Sequence, residues 1–230
     1  MRSILIVIGI LLSGAGGAAR ARAALIADPV GDFLSTYTGP QDAGLDVVAH
    51  EVTLVGDRLN FFGRMAGPVA PTQAFGGVYL FGIDRGLGTP RFTNTPPAPP
   101  VIGPGVVWDV IIRVSANGTG SYLNNLAGTT TALDPADISI SGNELTASIP
   151  ISLMLPGSTR PAAEWTYNLW PRNGAGSNVQ VSDLAPDNSN SPVHVVPEPA
   201  SLLLCAMSGL GLLGEHRRRK TRRFAVNHQC

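Results

Sequence analysis

Between residues 25 and 196 no stretch keeps the apolar spacing of about 3.6 residues that a core-facing helix requires, and this constrains the fold more than any other feature of the chain. Where apolar residues are regular, they alternate. Leu145, Ala147, Ile149 and Ile151 fall on one face of a strand, and Glu144, Thr146 and Ser148 on the other. Three dipeptides interrupt such runs and predict tight hairpins. Gly56-Asp57 divides 47–55 from 58–65, Asn117-Gly118 follows 106–114, and Gly142-Asn143 divides Ile138-Ser139-Ile140 from 144–151. Further strands are expected over 75–83 and 165–169, and the proline-rich 95–104 reads as a long loop. Seven or more short strands with Gly and Pro turns predict an all-β domain, an antiparallel sandwich of jelly-roll or immunoglobulin-like type.

The large apolar residues Phe61, Phe62, Tyr79, Phe81, Trp108, Trp165 and Trp170 are the expected core. Trp170 carries an alternative. It precedes Pro171-Arg172-Asn173-Gly174, which reads as a loop, so an exposed indole there would offer a stacking platform for a sugar.

The two ends are not globular sequence. Met1-Arg2, an apolar run over 4–12 and the small-residue site Ala21-Arg22-Ala23 read as a secretory signal helix, 1–23, cleaved after passage through the Sec translocon. The run is far short of the ~20 apolar residues that span a bilayer. The whole chain is formally neutral, yet 25–196 contains seven arginines, no lysine and fourteen carboxylates, a net charge of −7. Such a domain is unsuited to nucleic acid and suited to divalent cations. The chain's only cysteines, Cys205 and Cys230, lie outside it, so the domain has no disulfide or thiolate chemistry.

At the C-terminal end Pro197-Glu198-Pro199 is followed by fifteen uncharged residues, 200–214, and then by Arg217, Arg218, Arg219, Lys220, Arg222 and Arg223. The prolines keep a helix from running back into the domain. The apolar run, roughly 22 Å long as a helix, forms a single short membrane helix whose basic flank stays cytoplasmic. The expected organisation is signal 1–23, β-domain 24–184, linker 185–196, anchor segment 197–223 and tail 224–230.

The succession from Val196 to Arg223 resembles the PEP-CTERM sorting signal. That resemblance implies recognition by exosortase, a membrane cysteine transpeptidase-like enzyme that cuts near Pro-Glu-Pro. It implies a Gram-negative bacterium that makes exopolysaccharide and biofilm. The chain would pass through an anchored inner-membrane intermediate and then reach the cell surface or matrix. The tail beyond Arg223 is longer than the usual abrupt basic end of that signal.

The domain opens on Asp28-Pro29-Val30-Gly31-Asp32 and continues through Asp42 and Asp46 into a strand. Four carboxylates in nineteen residues suit Ca²⁺, which takes 6–8 oxygen ligands from irregular loops. The same Asp and Gly residues also serve as ordinary turn formers, and the spacing is not that of an EF-hand. Asp-x-x-Gly-Asp, Leu-Asp-Val and a first strand together resemble DOMON-like and family 9 carbohydrate-binding-module sandwiches. The resemblance implies a jelly-roll-like sandwich, a structural calcium at the N-terminal aspartates, and glycan or other small-ligand binding.

No catalytic constellation stands out. His50 is the one histidine expected inside the domain, His194 falling in the expected linker, and no Gly-x-Ser-x-Gly elbow is present. The domain is therefore read as non-catalytic, associating with exopolysaccharide. The alternatives are a calcium-dependent carbohydrate-binding module and a glycan hydrolase whose carboxylate pair comes from distant strands.

Overall fold

The structure is a computed structural model that describes residues 25–69, 76–92, 101–174 and 177–197. Among these residues the chain is all-β, and its helical elements are 3-10 turns of three residues each. None of its helices is long and apolar enough to cross a membrane. The expected signal helix, Glu198, Pro199, the membrane helix and the basic cluster fall outside the described residues.

In chain order the strands are β1 (Ile26–Ala27), β2 (Val47–Val55), β3 (Arg58–Met65), β4 (Gly77–Asp84), β5 (Thr89–Pro90), β6 (Val107–Trp108) and β7 (Val110–Ser115). Then come β8 (Gly120–Asn124), β9 (Thr129–Ala132), β10 (Ile138–Ser141), β11 (Glu144–Pro150), β12 (Thr166–Asn173), β13 (Ser191–Pro192) and β14 (His194–Val196). One six-stranded sheet runs β1-β2-β3-β11-β10, with β14 also on β2; the second runs β13-β12-β4-β7-β8-β9. Every pairing is antiparallel except β14 with β2.

The three expected hairpins form as read. Gly56, Gly118 and Gly142 take φ of +58°, +81° and +60°, a region that disfavours any side chain. At the second, the Asn117 side chain accepts from the Thr119 backbone N–H at 3.1 Å. Alternation then decides what is buried. In β3, Leu59, Phe61 and Met65 are buried; in β11, Leu145, Ala147 and Ile149.

These residues meet Tyr79, Phe81, Ile112 and Leu169 of the second sheet in one cluster, with the Phe61 and Phe81 rings 5.2 Å apart. Each such side chain contributes about 1.5–3 kcal/mol by leaving water. The second sheet is covered on its other face as well. Val78, Leu80, Ile111 and Trp170 pack there against Phe92, Ile102, Val106, Val181 and Leu184. This double cover explains why all eight residues of β4 are buried. A buried ion pair, Arg85 with Asp109, fastens the segment after β11: Arg85 also donates to the carbonyls of Met154 and Pro156.

Two expectations are corrected. Residues 185–196 are not a linker, since Ala185 is fully buried and bridges Leu169, and 191–196 supply β13 and β14. Their polar composition hid short edge pairings whose backbone does the work. The stretch after Trp170 is likewise not a loop, because β12 continues through Asn173 against β4. Pro171 is tolerated inside it for a geometric reason. Leu169 donates its N–H to Ala185 on the side away from β4, and the nitrogen of Pro171, two residues on, faces that same discontinuous side.

Candidate metal centre

Asp28 leaves β1 with its own N–H donated to Val48 at 3.0 Å, at the point where the β2–β3 register slips between Val47 and Ala49. The chain then turns through Gly31, φ +80°, whose N–H donates to Asp46 Oδ2 at 2.8 Å. That turn carries Asp32 back beside Asp28. From the far end of the sequence comes Asp183, held on either side by the bridges of Val181 to Arg172 and Ala185 to Leu169. Ligand oxygens of Asp28, Asp32 and Asp183 all lie within 4.8 Å of one another.

Asp183 is completely buried. Its Oδ2 accepts from Val47 N–H at 2.8 Å and its Oδ1 from Leu184 N–H at 2.7 Å. Each oxygen retains a lone pair for a cation. Asp28 Oδ2, Asp32 Oδ1 and Asp46 Oδ1 are buried with no hydrogen-bond partner, and buried acceptors without partners are costly.

The electrostatics agree. Burial, then the charges of Asp32, Asp187 and Asp46, pushes Asp28 from an ordinary 3.8 up to about 7. Burial, then Asp28 and Asp32, outweighs the two N–H donors and pushes Asp183 up to about 8. Asp32 and Asp46 are also raised, chiefly by burial. The group is thus charge-starved, and its donors are all hard oxygens, the chemistry that suits Ca²⁺ over softer metals.

Of the four aspartates expected from sequence, the structure brings Asp28 and Asp32 together. Asp46 lies against them as a buried carboxylate bonded to the Gly31 turn. Asp42 does not join; its side chain accepts from Gly44 N–H at 2.7 Å and caps the turn Ala43–Leu45. Sequence reasoning missed Asp183 and the exposed Asp187. Their only local signal is the pair of aspartates flanking Leu184-Ala185-Pro186.

Trp170 is corrected outright. It is 1% exposed, wedged edge-on to Phe92 with ring centroids 5.1 Å apart, so no sugar can stack on it. Gly82 makes room for it: a Cβ there would lie 2.3 Å from the indole.

His50 is fully buried, its Nδ1 3.0 Å from the Tyr167 hydroxyl, and burial lowers its pKa from 6.5 to about 4. It is a neutral ring between the sheets. His194 sits in β14, half-buried.

The fold and this site define an all-β protein with a buried, oxygen-only acidic centre. No protein-family model matches the sequence, and no curated protein matches it.

Proposed function

We propose that this chain is an exported, non-catalytic surface or extracellular-matrix protein. Its β-domain is a jelly-roll- or immunoglobulin-like sandwich with a structural calcium site. Its ends are a cleaved signal, 1–23, and a Pro197-Glu198-Pro199 sorting segment on which exosortase acts.

The observation that carries the reading is the meeting of Asp28, Asp32 and Asp183 around buried, unpartnered carboxylate oxygens. Clustering like charges in a partly buried site destabilises a fold unless a cation or a bound proton neutralises them. Extracellular modules hold calcium at Kd values of roughly 10⁻⁴–10⁻³ M, which suits a chain with a secretion signal. The acidic, lysine-free character of 25–196 and the basic cluster after 214 support one topology, domain outside and arginines inside.

Two experiments test it. Calcium should raise the melting temperature and chelator should lower it, and Asp183→Asn should abolish the difference; equal melting in calcium and chelator ends the calcium reading. In the host, replacing Glu198 or deleting the basic cluster should leave uncut protein in the inner membrane. Unchanged processing of both variants ends the sorting reading.

A further inference from the structure

Residues 25–42 form an arm, no residue of which is buried as a whole. Its apolar anchors Phe33, Leu34 and Tyr37 are half-buried, and β1 is joined to β2 by two residue pairs. Beyond β1, the N–H groups of Asp28, Leu34 and Thr38 donate to the carbonyls of Val48, Ser182 and Val179 at 3.0, 2.9 and 2.9 Å. A segment with so little buried apolar surface opens locally, at a lower free energy than the whole fold.

The surface that the arm covers is firmly held. Val181 to Ala185 are all buried. The loop after them is fastened from within, the Asn168 side-chain amide donating to the carbonyls of Pro186 at 2.6 Å and Ser189 at 2.9 Å. Across this seam carboxylates oppose one another. Asp28 and Asp32 stand on the arm, and Asp46, Asp183 and Asp187 on the sandwich. Ligand oxygens of Asp28, Asp32 and Asp183 converge within 4.8 Å, and the charges of Asp187 and Asp46 act on both Asp28 and Asp32. Asp46 is 2% exposed; its Oδ2 accepts from Gly31 of the arm, and its Oδ1 is buried without a partner. The repulsion therefore falls on a seam that apolar packing holds weakly.

We propose that the acidic centre is a calcium-operated clasp. A cation bridging Asp28 and Asp32 to Asp183 pins the arm to the sandwich, and its loss lets the arm open while the two sheets stay folded. The clasp rests on the calcium reading above and adds a regulatory role to that site. An opened arm takes β1 with it and bares β2 at Ala49 and His50, which pair with Ala27 and Ile26. Calcium then decides whether that border can accept another strand. At ten times its Kd a cation disfavours any opening that dismantles its site by about elevenfold.

The test is backbone hydrogen exchange of the full chain in mild detergent at pH 8, in chelator and in calcium at ten times Kd, with melting followed alongside. In chelator the amides of Asp28, Leu34 and Thr38 should exchange at least tenfold faster than those of 59–63 and 145–149, and calcium should slow them about tenfold. Asp32→Asn should lose most of that slowing, yet exchange in chelator no faster than the wild type, because one repelling charge is gone. A residue that merely shaped the turn would raise the chelator rate instead. Asp42→Asn, on the arm but outside the centre, should keep the full calcium effect. Two results overturn the clasp and leave the calcium reading standing: calcium raises Tm while the arm exchanges together with the core in chelator, or calcium raises Tm without slowing the arm. An Asp32→Asn chain still slowed as much as the wild type also overturns it. Calcium that changes neither melting nor exchange ends the calcium reading and the clasp with it.

Discussion

Without calcium, raising the pH should weaken this domain, the reverse of what most carboxylates do. Asp28 and Asp183 hold protons in the folded state up to about 7 and about 8, whereas in the unfolded chain they release them near 3.8. Between those values the native state binds more protons, so stability falls as pH rises. His50 acts in the opposite sense, costing stability as pH falls from 6.5 toward 4. The cleanest window is therefore pH 6.5 to 8, where His50 is neutral in the folded state and loses only its remaining half-proton in the unfolded chain, an opposing contribution of well under 1 kcal/mol. Asp183 is buried and enters at close to full weight; Asp28 is partly exposed and screened, so it is discounted. At 1.36 kcal/mol per proton per pH unit the two give about 2 kcal/mol across the window. For a domain of this size that is a drop of about 4–8 °C in Tm.

Calcium should erase the drop, because a bound cation keeps the carboxylates ionised throughout. Calcium at ten times Kd, roughly 1–10 mM, adds about 1.4 kcal/mol. The assay is thermal melting by circular dichroism of the same preparation in chelator and in millimolar-range calcium, at pH 6.5, 7.2 and 8. Asp183→Asn should remove the larger part of the drop in chelator, since its amide needs no proton, and leave the smaller share that Asp28 contributes. A chelator series in which Tm is constant or rises with pH would refute the reasoning.

Other consequences are direct. Trp170→Ala should destabilise the fold by about 3–5 kcal/mol, measured by denaturant unfolding, because the side chain is core and not surface. Asp109→Ala strands Arg85 fully buried without its counter-charge and should cost about 3–5 kcal/mol in the same measurement. Gly82→Ala should cost about 1–3 kcal/mol, since its methyl would meet the indole of Trp170. Glu164→Gln, an exposed change away from these features, should leave stability within about 0.5 kcal/mol.

The hairpins were legible because their information is local. Gly56, Gly118 and Gly142 are needed where φ is positive, and each stands between alternating runs. The acidic centre was half legible for the same reason: Asp28, Gly31 and Asp32 form one turn, but Asp183 arrives from more than 150 residues away, and only tertiary structure brings it there. Asp42 was misassigned because an aspartate that caps a turn and one that faces a cation have the same local sequence. Trp170 was misread because Pro, Asn and Gly signal a loop in isolation, whereas β12 can admit Pro171 on its discontinuous side. The segment 185–196 looked unpatterned because strands of two and three residues are too short to show a period.

The pairing of β14 with β2 has a consequence for handling the protein. β1 covers β2 at Ala49 and His50, and β14 continues the cover at Thr53 to Val55, so the two ends of the domain lie tandem along one border strand. Backbone amides there that would recruit a stranger's strand are already occupied. A truncation placed before His194, as a naive reading of the polar stretch would recommend, would uncork that border and yield a sticky preparation; one placed after Pro197 keeps the stopper in.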